Sequence, residues 1–131
     1  MQYISSVYID SVTSEPLIFV ALPATDAFGD LQGTLAAEVN LKFMWDVVDQ
    51  LQVGETGLAY VVDEQGNLIA FSDTARVLTG ENMQNLQEVR EFVDDPTSTD
   101  VGVEVATGIL GTTVVGTYAP LGAPGGMLCV K

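Results

Sequence analysis

Apolar and polar positions along this chain fall into short blocks, and the spacing of the blocks predicts the elements. Residues 3–10 (YISSVYID) are rich in strand formers and end in a polar turn, Ser11-Val12-Thr13-Ser14-Glu15. Residues 17–22 are an unbroken apolar run closed by Pro23, the pattern of a strand buried on both faces. A loop with Asp26, Gly29 and Asp30 leads to a third strand over 33–39. Three strands joined by short turns predict an antiparallel meander, which is thin for a domain of its own.

The period then changes from two to that of a helix. Asn40 suits an N-cap, and Leu41, Met44, Trp45 and Val48 follow at i, i+3, i+4 and i+7, predicting a helix to about residue 52 with a core-facing apolar stripe. Glycines 54 and 57 break it. Residues 58–63 (LAYVVD) and 68–71 read as a hairpin, with Gly66 at a positive-φ turn position. Ser72 or Asp73 caps a short helical turn over 75–78, and a second helix carrying Met83, Leu86, Val89 and Val93 stops before Pro96. Val101, Val103 and Val105 alternate with Gly102 and Glu104 as a half-exposed strand. Two more strands follow over 112–118 and 127–130. The order strand–strand–helices–strand–strand–strand predicts an α+β, PAS-like fold: a five-stranded antiparallel sheet with helices on one face. The expected division is 1–40 as the closing strands of an upstream sister domain, 41–52 as a connecting helix, and 53–131 as the PAS-like domain.

Composition removes several function classes. At 47% hydrophobic residues over 131 positions and a mean hydropathy of +0.31, the chain has the apolar content of a folded domain. Only 4 basic residues stand against 18 acidic ones, a net charge of −14 that opposes binding to nucleic acid or anionic lipid. There is no histidine, so a Ser-His-Asp triad and His-ligated metal sites are excluded. Cys129 stands alone, without a partner for an internal disulfide, and is expected as a small buried hydrophobe. Asp94, Asp95 and Asp100 lack EF-hand spacing and read as a solvated loop; the glycines at 54 and 57, and those at 122, 125 and 126, read as turns. No catalysis, metal or cofactor is expected. No apolar run approaches the ~18 residues that span a bilayer. The chain reads as a piece of a larger protein, with any membrane segment in flanking sequence.

The stretch GTLAAEVNLKFMWDVVDQLQVGETGLAYVVDEQGNLIAFSD, residues 33–73, resembles the extracytoplasmic double-Cache sensor regions of bacterial signal-transduction proteins. VYIDSVTSEPLIFVALP (residues 7–23) is similar to the strands of the membrane-distal module that precede this joint, and TYAPLGAPGGMLCVK (117–131) to the last hairpin of the proximal one. Two positions depart from the family pattern: Phe71 stands where a histidine is usual, and Met127 where a tryptophan is usual. The resemblance implies a small-molecule sensor outside the cytoplasmic membrane, most commonly of a histidine kinase, and otherwise of a chemoreceptor or cyclase.

It also implies two sets of candidate ligand-binding residues. Tyr8, Asp10 and Glu38 align with polar positions of the distal module, where an acidic group can hold a ligand ammonium through charge-assisted hydrogen bonds. Tyr60, Asp63, Phe71 and Tyr118 lie on strands that line the proximal pocket. Each set has a plainer reading: Tyr8 packs at a sheet edge with its carboxylates solvated, the aromatic residues are core, and Asp63 serves its turn. The expected partners are an amino acid, amine or carboxylate and a second copy of the receptor. The competing expectation is a ligand-free spacer or dimerisation module.

Overall fold

A computed structural model describes residues 2–51, 54–98 and 102–121, and the backbone of 127–130. The expectations for Asp100, for Val101, for the turn over 122–126 and for the side chains of Met127 and Cys129 lie outside the described residues. The chain forms two compact units, Met1–Lys42 and Phe43–Lys131.

The first unit is a meander whose first strand is broken. β1 (Tyr3–Ile4) and β2 (Tyr8–Ile9) both pair with β3 (Pro16–Thr25), and β4 (Leu31–Asn40) pairs along the whole of β3. Since β4 fills one edge of β3, the two short strands share the other. The break holds one extra residue, because Ile4 faces Val20 while Tyr8 faces Leu17. Ser5 spans it: its amide donates to the Phe19 carbonyl at 2.9 Å, and its hydroxyl accepts the Phe19 amide at 2.8 Å. A serine at the irregularity thus supplies the acceptor that a regular ladder would have taken from the backbone.

Two expectations for β3 are corrected. The strand runs through Pro23 to Thr25 instead of stopping there. Among the described residues β4 is its one neighbouring strand beyond Ala21, and a proline without an N–H is tolerated at such an edge. Burial on both faces holds only at its start: Leu17 and Ile18, on opposite faces, are buried, but Phe19 and Leu22 are 39% and 40% exposed. Every residue of β4 is exposed.

The second unit opens within α1 (Lys42–Gln50), whose first residue, Lys42, still belongs to the first unit and gives its amide to Asn40 Oδ1 as a cap at 2.8 Å. β5 (Ala59–Val62), β6 (Leu68–Ala70), β7 (Glu104–Thr107), β8 (Thr113–Pro120) and β9 (Met127–Val130) form one antiparallel sheet in the order β6-β5-β9-β8-β7. The helices α2 (Thr74–Leu78) and α3 (Gln87–Asp94) lie in the connection from β6 to β7. The core gathers Tyr60, Val62, Leu68, Phe71, Val77, Met83, Leu86, Val89, Phe92 and Ile109, with Trp45 and Tyr118 packed at its margin.

Local departures have local causes. α3 begins at Gln87, so Met83 and Leu86 precede it, although both are buried. The Met83 amide donates to the Gly66 carbonyl at 2.8 Å, and the Leu68 amide to the Glu81 carbonyl at 2.8 Å; this bridge holds the segment extended. Asp73 stands at the N-cap of α2 without a side-chain capping bond. β7 starts at Glu104, and Val103 and Val105 point outward at 72% and 69% exposure. Met44 and Trp45 are half-buried instead of fully enclosed.

Candidate functional site

In the first unit the register sorts the sheet into two unlike faces. Ile18, Val20 and Leu22 share one face with Val39, Ala37 and Leu35, and no polar side chain interrupts these six positions. Leu17, Phe19 and Ala21 lie on the other face with Asn40, Glu38 and Ala36, and Tyr8 joins them opposite Leu17. Tyr8 and Glu38 meet there. The Tyr8 hydroxyl donates to Glu38 Oε2 at 2.5 Å, and this bond to a carboxylate pushes the phenol up to about 12.

Asp10 is turned away from that pair and into the β2–β3 turn. Its Oδ2 accepts both the hydroxyl and the amide of Thr13, at 2.7 Å each. These bonds hold its carboxyl below the usual carboxylate range. The turn ends at Ser14 with φ +57, and its backbone closes through Asp10 and Glu15 at 2.9 Å. So of the three distal candidates the structure brings two together, and the third supports the loop beside them.

In the second unit the candidates fall inside the core. Tyr60 is fully buried, donates its hydroxyl to Glu88 Oε1 at 2.7 Å, and meets Phe71 edge-on with ring centroids 6.3 Å apart. Tyr118 meets Phe92 edge-on at 6.4 Å. Asp63 is buried in the β5–β6 turn: Oδ1 accepts the amides of Gln65 and Asn67 at 2.9 Å, and Oδ2 accepts Asn67 Nδ2 at 3.0 Å. Open space in this unit lies elsewhere among the described residues. A cleft of about 470 Å³ runs between α1 and the segment from Gly54 to Ala59, and a groove of about 190 Å³ is lined by Trp45, Asp46, Asp49, Phe71, Ser72 and Thr74.

Glu88 escaped the sequence reading. Its signal was its spacing, four residues before Phe92, which places both on one stripe of α3. Both are buried. The Tyr60 hydroxyl gives this carboxylate a partner inside an otherwise apolar core.

No protein-family profile matches the chain, and no curated relative matches it. Solved structures do. The periplasmic sensory domain of the Campylobacter jejuni chemoreceptor Tlp1 superposes with a TM-score of 0.73 at 12% identity, covering 98% of this chain and 47% of that one. The two share one fold. The ligand-binding domain of the Pseudomonas aeruginosa PAO1 amino acid chemoreceptor PctC, in complex with GABA, gives 0.71 at 18% identity over 98% of this chain and 54% of that one. The extracellular domain of a protein assigned as a histidine kinase, mmHK1S-Z2, gives 0.73 at 18% identity over 98% and 49%. The chain therefore spans about half the length of the sensor domains it matches.

Proposed function

We propose that the chain is the ligand-recognition region of a transmembrane signal-transduction receptor, displayed outside the cytoplasmic membrane, with a small molecule as its signal and a histidine kinase as its output. The observation that carries the reading is the strand order β6-β5-β9-β8-β7, with both helices in the β6–β7 connection, in a chain that superposes over 98% of its length on sensor domains. Among the described residues no helix is long and apolar enough to cross a membrane, so the anchor belongs to flanking sequence in this reading.

Within it, residues 1–40 are the closing strands of a membrane-distal module, 41–52 the connecting helix and 53–131 the proximal module. The consecutive pairing of β1/β2, β3 and β4 repeats that of β7, β8 and β9, which supports the assignment. In the second unit the last strand also pairs with β5; β4, in the same place, pairs with β3 alone among the described residues. The receptor acts as a homodimer in this proposal, for which the exposed Leu31, Leu35 and Phe28 offer apolar contact surface.

Ligand contact belongs to the first unit, at Tyr8 and Glu38 with Asp10 beside them. A carboxylate next to a phenol suits an ammonium group, and amino-acid ligands fit that preference. Structural neighbours carry such ligands: PctC binds GABA, Mlp24 binds asparagine and CtaA of Pseudomonas fluorescens binds L-serine. The ligand would act by binding one arrangement of the receptor more tightly than another. A second reading, in which the proximal unit is a ligand-free spacer, is favoured by one observation: Tyr60, Glu88 and Phe71 fill the place where the sequence suggested a pocket.

The test is a thermal-shift screen of amino acids, amines and carboxylates. A binder at ~100 times its dissociation constant adds ~2.7 kcal/mol of stability. Glu38→Gln is expected to abolish the response to amines while leaving the unliganded melting temperature nearly unchanged. A flat response across the whole screen would overturn ligand recognition by this chain and leave the spacer.

A further inference from the structure

Opposite Val61 and Val62 of β5, strand β6 carries one extra residue. Val61 faces Ala70 and Val62 faces Leu68, so Ile69 has no counterpart on β5. A bulge of this kind withdraws a peptide group from the ladder and re-aims it. The group is used: Trp45, on α1, donates its indole N–H to the Ile69 carbonyl at 2.7 Å. The indole itself is half-buried against the core of the second unit.

Apolar packing alone would hold α1 weakly in register. It is non-directional, and Val48 is the one fully buried side chain of this nine-residue helix. A directional bond to one carbonyl selects one axial position. The helix is also where such a selection matters, since α1 starts two residues after β4 ends at Asn40.

We propose that the Ile69 bulge and the Trp45 indole form a joint that fixes α1 on the second sheet, so that a displacement of the end of β4 passes through α1 to β6 instead of being lost as slippage of the helix. The proposal takes its purpose from the sensor reading, but its test uses no ligand, so either can fail without the other.

Trp45→Phe keeps an aromatic ring at the site and removes the donor together with the smaller ring of the indole. Site-resolved amide exchange should then show the amides of Val48, Asp49 and Gln50 opening about 5-fold faster, the factor expected for a net hydrogen bond of ordinary strength. The amides of α3 serve as the internal reference and should hold their native rates. Equal acceleration of α1 and α3 would reduce Trp45 to a general stabiliser, and no acceleration of α1 would remove the joint. The native protein gives a second reading should the variant fold poorly, because Trp45 is the sole tryptophan. Its indole N–H should be protected to the same degree as the α1 amides; an indole exchanging freely beside protected α1 amides would overturn the proposal.

Discussion

Arg76 ties three parts of the second unit to one guanidinium. Its Nε and Nη2 each donate to Glu81 at 2.6 Å, its Nη1 donates to the Ile109 carbonyl at 3.1 Å, and its charge lies 5.6 Å from the centre of the Phe71 ring. The fork geometry makes this ion pair stronger than a chance surface contact. The bond from Arg76 lowers the Glu81 carboxyl from its ordinary value of 4.5. A depressed acid contributes stability above its unfolded value, and that contribution fades as pH falls through the folded value. Glu81→Gln should therefore melt a few degrees below the native protein at pH 7, and the gap should close in strongly acid solution. Circular-dichroism melts at pH 7, 5 and 3 check this. A gap of constant size would mean that the amide loses packing and not charge.

Among the elements, the β5–β6 turn shows what local sequence can and cannot convey. Gly66 was legible as a positive-φ residue, and it has φ +84. That the turn is also a docking point was not legible, because its partners lie some 17 residues further on. The Gln65 carbonyl accepts from Asn82 Nδ2 at 2.9 Å and from Gln84 Nε2 at 2.7 Å. A Cβ on Gly66 would stand 3.0 Å from Gln84 Cγ and 3.0 Å from Val89 Cγ1. Gly66→Ala should thus cost at least ~2 kcal/mol, from backbone strain and overpacking together. Gly54→Ala, at φ +64 with nothing nearby, should cost only ~1 kcal/mol. Urea unfolding of both variants checks the difference. The same long-range bridge explains why a stripe beginning at Met83 overstated α3: tertiary hydrogen bonds at Glu81 and Met83 override the helical period. In β3 the sequence carried the strand but not its cover, since an apolar run says nothing of what lies on it. Tyr8 and Glu38 were legible as polar positions thirty residues apart, yet only the register of β2, β3 and β4 joins them. Asp10 and Asp63 carry the opposite lesson, with carboxylates bound into the turns where they stand.

For the whole molecule, charge is the dominant long-range quantity. With a net charge of −14 and two ion pairs among the described residues, most carboxylates have no cationic neighbour to offset their repulsion. The melting temperature should rise between roughly 0.01 and 0.5 M salt, where the Debye length falls from ~30 Å to below ~8 Å. A flat profile would mean that the acidic groups lie too far apart to repel one another effectively. The sheet order sets a further condition, on the timing of assembly. β9 is the central strand of the second unit, and Tyr60 waits for Cys129 as its opposite number. At ~5–20 residues per second on a ribosome, the roughly 68 residues between them take ~3–14 s to appear. Throughout that interval the β5 edge, flanked by buried Val61 and Val62, stands open to any passing strand. Escape from misassembly during synthesis thus depends on how fast the nascent chain is delivered, and on what shields that edge until β9 arrives.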